Sequence, residues 1–271
     1  MSPQLPNTSQ LILQTKGLAK SFLGLQALQD FSIVVDANEI LGLIGPNGAG
    51  KTTCFNLLTG FLVPTGGKIY FRGEDITGRP PAQIARLGLA RTFQNIRVFN
   101  SISVLENVMV AAQLRTQFSL GELFLSTPGF RYKEAEVTSR AHSLLDLLGL
   151  SEYANRTAAS LPYAHQRRLE IARALATEPH LLLLDEPAAG MNPAESDSLH
   201  QLILALRARF QLTILLVEHD MRLVMNLCER IIVLNYGKII AEGRPEAVRA
   251  APQVIAAYLG EGPSQIEVNR A

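Results

Sequence analysis

Hydrophobic and polar positions fall into two textures along the chain. From Leu11 to Asp36 apolar and polar residues alternate, as LILQTK and then FSIVVD with a break at Gly24. A period of two predicts short antiparallel strands. ILGLI (40–44), LLLLD (181–185) and LTILLV (212–217) are instead uninterrupted apolar runs, the pattern of strands buried on both faces of a parallel sheet. GGKIYFRG (66–73) is a strand bounded by glycines, and LARTF a strand running up to Gln94. Helical spacing follows ILGLI in TTCFNLLTG, stopping at Gly60, and recurs in PPAQIARLG, which has proline at its start.

Between Gln94 and Thr177 the texture is helical. Ser103 and Glu106 form a capping-box pattern opening a helix to about Gln113. Residues 115–132, interrupted by Gly121, Pro128 and Gly129, read as a loop or a short amphipathic piece. A helix from Tyr132 to Leu148 places Val137, Ala141, Leu144, Leu145 and Leu148 on one face, and another spans about Gln166 to Thr177. Further helices are expected around Leu199–Phe210 and up to Leu227, then a strand pair, IIVLN and KIIAEG, and two short helices broken at Pro252. Strands alternating with helices make this an α/β protein. The expected layout is a polar tail at 1–10, a core in 11–93 and 178–250, a helical block at 94–177, and a C-terminal helix and tail from 251 to 271.

Composition narrows this picture. In 271 residues, 47% apolar and 18% charged side chains describe a globular chain. A net charge of +1 without a basic block gives no expectation of nucleic acid. Cys54 and Cys228 are too few for a disulfide framework or a zinc site and read as buried thiols in a reducing compartment. The start, MSPQLPNTSQ, lacks a secretory layout, and no apolar run reaches the ~20 residues that span a bilayer. A cytoplasmic protein, meeting the membrane only through a partner, is expected.

GPNGAGKT (45–52) is the strongest chemical signal. Gly45, Gly50, Lys51 and Thr52 match G-x-x-x-x-G-K followed by Ser or Thr, set between a buried strand and a helix. In that setting the loop formed by Gly45, Pro46, Asn47, Gly48, Ala49 and Gly50 is expected to cradle phosphates with its backbone N–H groups (Pro46 has none), together with Lys51, Thr52 and Thr53, and the Thr52 hydroxyl to hold Mg²⁺. LLLLDE is second. Asp185, at the end of a strand, is expected to support Mg²⁺, and Glu186, pointing to the other side of that strand end, to polarise a water; the alternative is two solvated carboxylates capping a strand. His219 in VEHD is placed to reach a γ-phosphate. Gln94 is placed to sense the metal or the water.

The order GPNGAGKT, TFQ, LPYAHQRRLEIARAL, LLLLDEP, AAGMN, VEHD resembles the ATP-binding subunits of ABC transporters over about residues 11–260. More narrowly, the chain is similar to those of bacterial branched-chain and neutral amino-acid importers, through LTGF, ARTFQNIRVF, RRLEIARAL, DEPAAGMNP and the ending PEAVRAAPQVIAAYLG. The resemblance implies a P-loop (RecA-like) core with an N-terminal antiparallel β subdomain and an inserted helical subdomain. It implies ATP and Mg²⁺ as ligands, Phe22 stacked on adenine, and a signature loop containing Tyr163, Ala164 and His165 that touches a partner's nucleotide. It also implies two transmembrane permease subunits, an indirect periplasmic binding protein, and a place on the cytoplasmic face of the inner membrane. Ile96, Val98, Phe99, Phe118, Phe124 and Phe130 are candidates to dock a permease; the alternative is that they pack the helical block itself. Pro162 stands where that family has serine, Ala164 where it has glycine, and Asn192 where it has aspartate. Those departures favour a non-identical second ATP-binding subunit over a homodimer. Urea, amide or lipopolysaccharide transport subunits, a non-transport ATPase of this architecture, and a small-molecule P-loop kinase are the alternatives.

Overall fold

The computed structural model describes residues 11–115 and 128–259. The chain divides into two compact units, residues 1–80 with 206–271, and residues 81–205.

The first unit holds both kinds of sheet that the patterns predict. β1 (Leu11–Phe22) pairs antiparallel with β2 (Leu25–Phe31), β3 (Val34–Asp36) and β5 (Gly66–Phe71), and β5 pairs with β6 (Glu74–Asp75). β4 (Ile40–Ile44), buried at every residue, lies parallel between β9 (Thr213–Val217) and β10 (Arg230–Asn235). β11 (Lys238–Gly243) adds an antiparallel edge to β10. A strand paired on both sides and covered on both faces has no position for a polar side chain, hence ILGLI. Gly42 within it is dictated from outside the strand, since a Cβ there would lie 2.9 Å from Cys228 Sγ. Burial pushes the Cys228 thiol up to about 12, which fits a packing role. Glu39, just before β4, receives a bidentate pair from Arg230 at 2.7 and 2.9 Å, fixing the entry of β10 beside β4.

α1 (Lys51–Leu58) follows β4 through the glycine loop and buries Cys54, Phe55, Leu57 and Leu58. Complete burial of each large apolar side chain is worth about 1.5–3 kcal/mol, which holds the helix start in place.

The second unit contains the parallel pair β7 (Leu89–Arg91) and β8 (Leu181–Asp185) and a set of helices. These include α2 (Pro81–Leu87), α3 (Val104–Ala112), α4 (Pro128–Leu147), α5 (Tyr163–Ala176) and the start of α6 (Pro193–Phe210). Among the described residues, no helix is long and apolar enough to cross a membrane. The Ser103–Glu106 capping box forms with both reciprocal bonds present. The hydroxyl and amide of Ser103 hold the Glu106 carboxyl below its ordinary range. Ser103→Ala is expected to cost about 1 kcal/mol, seen as a fall of about 2–4 °C in the thermal unfolding midpoint.

Three boundaries differ from the sequence patterns. β7 ends at Arg91 instead of reaching Gln94, although the Thr92 amide still donates to Leu183 O at 2.9 Å. α4 starts at Pro128, with proline in its first turn where it breaks no hydrogen bond. α5 starts at Tyr163, directly after Pro162, so that Tyr163, Ala164 and His165 form its first turn instead of a loop. α7 (Met221–Leu227), α8 (Pro245–Arg249) and α9 (Pro252–Leu259) complete the first unit.

Candidate functional site

In the first unit, the glycine loop leaves the carboxyl end of β4, and Glu218 and His219 leave the carboxyl end of its parallel neighbour β9. Carboxyl ends of parallel strands are where open α/β sheets bind ligands. Two glycines of the loop are required by packing. Gly45 has φ +152°, and a Cβ on it would lie 2.0 Å from Leu234 O; Gly50 has φ +108°, and a Cβ would lie 2.6 Å from Ala27 O. The loop is therefore wedged against β10 and β2 by its backbone, and a side chain at either position would collide with the backbone of those strands.

Lys51 is 6% exposed, and its ammonium donates to Gly45 O at 2.6 Å and Pro46 O at 3.0 Å. The lysine thus spans the loop and braces it. Thr52, the next residue, is exposed at the start of α1, while Asn47 and Gly48 expose the loop's crown. A helix N-terminus joined to a loop this short offers inward backbone N–H groups together with a fixed cation, and that donor set suits a polyphosphate. Glu218 is buried, and its carboxylate accepts the amide of His219 at 3.1 Å, leaving the imidazole exposed. Phe22 is 41% exposed at the end of β1, with the Lys20 ammonium 5.1 Å from its ring centre. An open aromatic face of this kind is available for stacking.

In the second unit, the carboxylates and the glutamine are brought together at the carboxyl ends of β7 and β8. Asp185 is 4% exposed, and its Oδ2 accepts from Arg91 Nη2 at 2.7 Å. Its amide donates to Thr92 Oγ1 at 3.3 Å. The buried carboxylate is thus paired with a guanidinium that is itself almost fully buried. Glu186 has φ +47°, uncommon for a residue with a side chain, and its Oε2 accepts from Gln94 Nε2 at 2.8 Å. β8 ends at Asp185, and the left-handed turn at Glu186, not strand alternation, lets the neighbouring carboxylates serve different partners: one faces Arg91 and the other faces Gln94.

Pro162 is the N-cap of α5, and its carbonyl accepts from the amides of His165 and Gln166, each at 3.0 Å. It contributes no side-chain cap. Tyr163 is 46% exposed, and its ring lies against Gly190, where an added Cβ would be 3.4 Å from Cε1. His165 packs edge-on against Tyr153, with centroids 4.9 Å apart. Asn192 exchanges hydrogen bonds with Glu195, each at 3.0 Å, and so caps α6. The asparagine has a local structural reason to be there. Phe99 is 47% exposed under the Arg173 guanidinium, and Ile96 and Val98 are half-buried. Phe118 and Phe124, and the side chain of Phe130, lie outside the described residues.

Sequence patterns missed two groups. Arg91 is hidden in an apolar strand, where a lone charge is the available signal that a buried carboxylate faces it. Arg167 and Glu170 look like an ordinary i, i+3 surface pair, yet Arg167 is completely buried. Among the described residues no cluster of three or more His, Cys, Asp or Glu side chains is arranged to hold a metal.

A phosphate-type glycine loop on a buried parallel strand, with an acidic strand end elsewhere in the chain, defines a P-loop nucleoside-triphosphatase fold. The sequence model described as "ABC transporter" matches residues 28–189, and the one described as "Branched-chain amino acid ATP-binding cassette transporter" matches residues 238–263. The chain belongs to the ABC transporter family, among its ATP-binding subunits. It is 50% identical over 253 residues to the "High-affinity branched-chain amino acid transport ATP-binding protein LivG" of Escherichia coli (strain K12), covering 93% of this chain and 99% of that one. It is 49% identical over 255 residues to BraF of Pseudomonas aeruginosa, a protein of the same description, with the same coverage. A crystal structure of the ADP conformation of an ATP-binding cassette of an ABC transporter shares 35% identity and a TM-score of 0.80, covering 93% of this chain and 99% of that one.

Proposed function

We propose that this chain binds and hydrolyses ATP to power import of branched-chain or neutral amino acids through an ABC-type transporter. The observation that carries the nucleotide part is the braced glycine loop, in which Lys51 and two sterically required glycines hold the backbone open ahead of α1. The amino-acid part is supported by the likeness to LivG and BraF along nearly their whole length.

In this reading the N–H groups of the loop residues other than Pro46 and the Lys51 ammonium bind the phosphates, Thr53 adds a hydroxyl, and Phe22 stacks on the adenine. Thr52 would hold Mg²⁺, supported through water by Asp185, and the ion would supply charge neutralisation on the phosphate oxygens. Glu186 accepts a proton from the attacking water, Gln94 orients that water, and His219 steadies the γ-phosphate. Arg91 fixes the Asp185 carboxylate in place. Tyr163, Ala164 and His165, at the start of α5, face the nucleotide of a second ATP-binding subunit. Without the serine hydroxyl at position 162 that contact is weakened, which favours a non-identical partner. ATP binding closes the pair and hydrolysis reopens it; the difference in binding energy between those states drives two permease subunits at the cytoplasmic face of the inner membrane. Substrate choice lies with the permeases and a periplasmic binding protein.

The test is to capture the tagged chain from membranes, identify its companions, and reconstitute the complex. Leucine or a neutral amino acid is expected to stimulate ATP hydrolysis and be taken up when its binding protein is supplied. Stimulation by urea, an amide or a lipopolysaccharide instead would replace the amino-acid assignment while leaving the ATPase intact.

A further inference from the structure

The least expected feature of the second unit is the buried ion pair inside α5. Arg167 is 0% exposed and Glu170 4% exposed. Arg167 Nη1 donates to Phe93 O at 2.5 Å and to Glu170 Oε2 at 2.8 Å, and Nη2 donates to Gln94 O at 2.8 Å. The other Glu170 oxygen accepts from the amides of Phe93 at 3.0 Å and Arg97 at 3.3 Å. Burial pushes the Glu170 carboxyl upward, against the pull of its donors and of Arg167. The same guanidinium reaches Tyr163 Oη at 3.4 Å, and the Tyr163 ring rests on Gly190, in the turn that follows Glu186.

A buried ion pair is a poor way to gain stability, because desolvation of both charges offsets their attraction; apolar side chains of like volume do as well or better. What a planar, five-donor guanidinium opposite a two-oxygen carboxylate does well is fix several backbone groups in one geometry. Here the fixed groups are the carbonyls and amides on either side of Gln94. With its flanking backbone held, the Gln94 side chain reaches Glu186.

We propose that Arg167 and Glu170 are positioning residues for ATP hydrolysis, clamping the 93–97 backbone so that the Gln94 amide is presented to Glu186. This rests on the reading of Gln94 and Glu186 as hydrolytic residues. The clamp also joins the first turn of α5 to the turn after Glu186 through Tyr163. A change at the face that meets the second subunit therefore reaches Gln94 through one guanidinium.

The experiment uses the full chain in its reconstituted complex, with Arg167→Lys, Glu170→Gln, Gln94→Ala and the Arg167→Lys/Gln94→Ala double variant. Steady-state kcat and KM for ATP, the unfolding midpoint, and amide hydrogen exchange over residues 92–98 are measured on each. A lysine keeps the charge but cannot span both carbonyls and the carboxylate. Arg167→Lys is expected to lower kcat roughly 10²-fold, the effect of a small misplacement at a reacting centre, with KM little changed. Exchange over 92–98 is expected to quicken, and the double variant to be no slower than the slower single one, because both changes remove the same function.

Arg167→Lys that melts earlier yet keeps its kcat, or a double variant whose losses multiply, overturns the proposal and leaves a packing pair. If Arg167→Lys does not fold, Glu170→Gln, which preserves shape, is judged by the same criteria. Wild-type hydrolysis by Gln94→Ala would remove the underlying reading of Gln94, and the clamp's role with it. Slow hydrolysis by Gln94→Ala beside unimpaired clamp variants would remove the clamp alone.

Discussion

Glu186→Gln is expected to lower ATP hydrolysis by roughly 10²–10⁴-fold, the usual contribution of a positioned general base, while ATP still binds. The substitution is nearly isosteric. A glutamine at 186 keeps an oxygen to accept from Gln94 Nε2, so the 2.8 Å contact and the left-handed turn at φ +47° survive. Only the capacity to take a proton is lost. Phosphate release measured beside equilibrium binding of a fluorescent ATP analogue separates the two effects. Hydrolysis close to the wild-type rate would remove Glu186 from the role of base and turn attention to His219.

Gly45→Ala is expected to be strongly damaging. Its Cβ would lie 2.0 Å from Leu234 O, a backbone atom of β10 that cannot rotate away, and φ +152° is unfavourable for alanine besides. Overpacking against backbone together with a forced dihedral amounts to roughly 3–5 kcal/mol, enough to unfold a marginal domain or collapse the loop. Gly48→Ala is the informative control. It too has a positive φ, +79°, but nothing lies within 4 Å of its added Cβ, so the cost is about 1–2 kcal/mol and the loop persists. Denaturation midpoints and MgATP affinity for the two variants test the comparison. Equal effects at both positions would mean that dihedral strain, and not contact with β10, is what makes the loop glycine-rich.

The strand–loop–helix order around Lys51 and the apolar runs of β4, β8 and β9 were legible because the forces that shape them are local: periodicity, glycine freedom and helix capping are written in neighbouring residues. The Ser103 capping box is legible for the same reason. The start of α5 was not. The family-like run around Pro162 suggested a loop through His165, whereas proline, which is favoured at helix starts, lets the helix begin at Tyr163.

By itself, then, the sequence determined the α/β class, the phosphate loop and the acidic strand end, since each depends on residues within one or two turns of one another. Only the tertiary structure decided that Arg91 would neutralise Asp185, that Arg167 and Glu170 would be buried on the Gln94 backbone, and that Gly42 would yield its side-chain space to Cys228. Those pairings join residues roughly 70 to 190 positions apart. A charge or a glycine carries no mark of its distant partner until burial removes water and leaves that partner as its sole means of satisfaction.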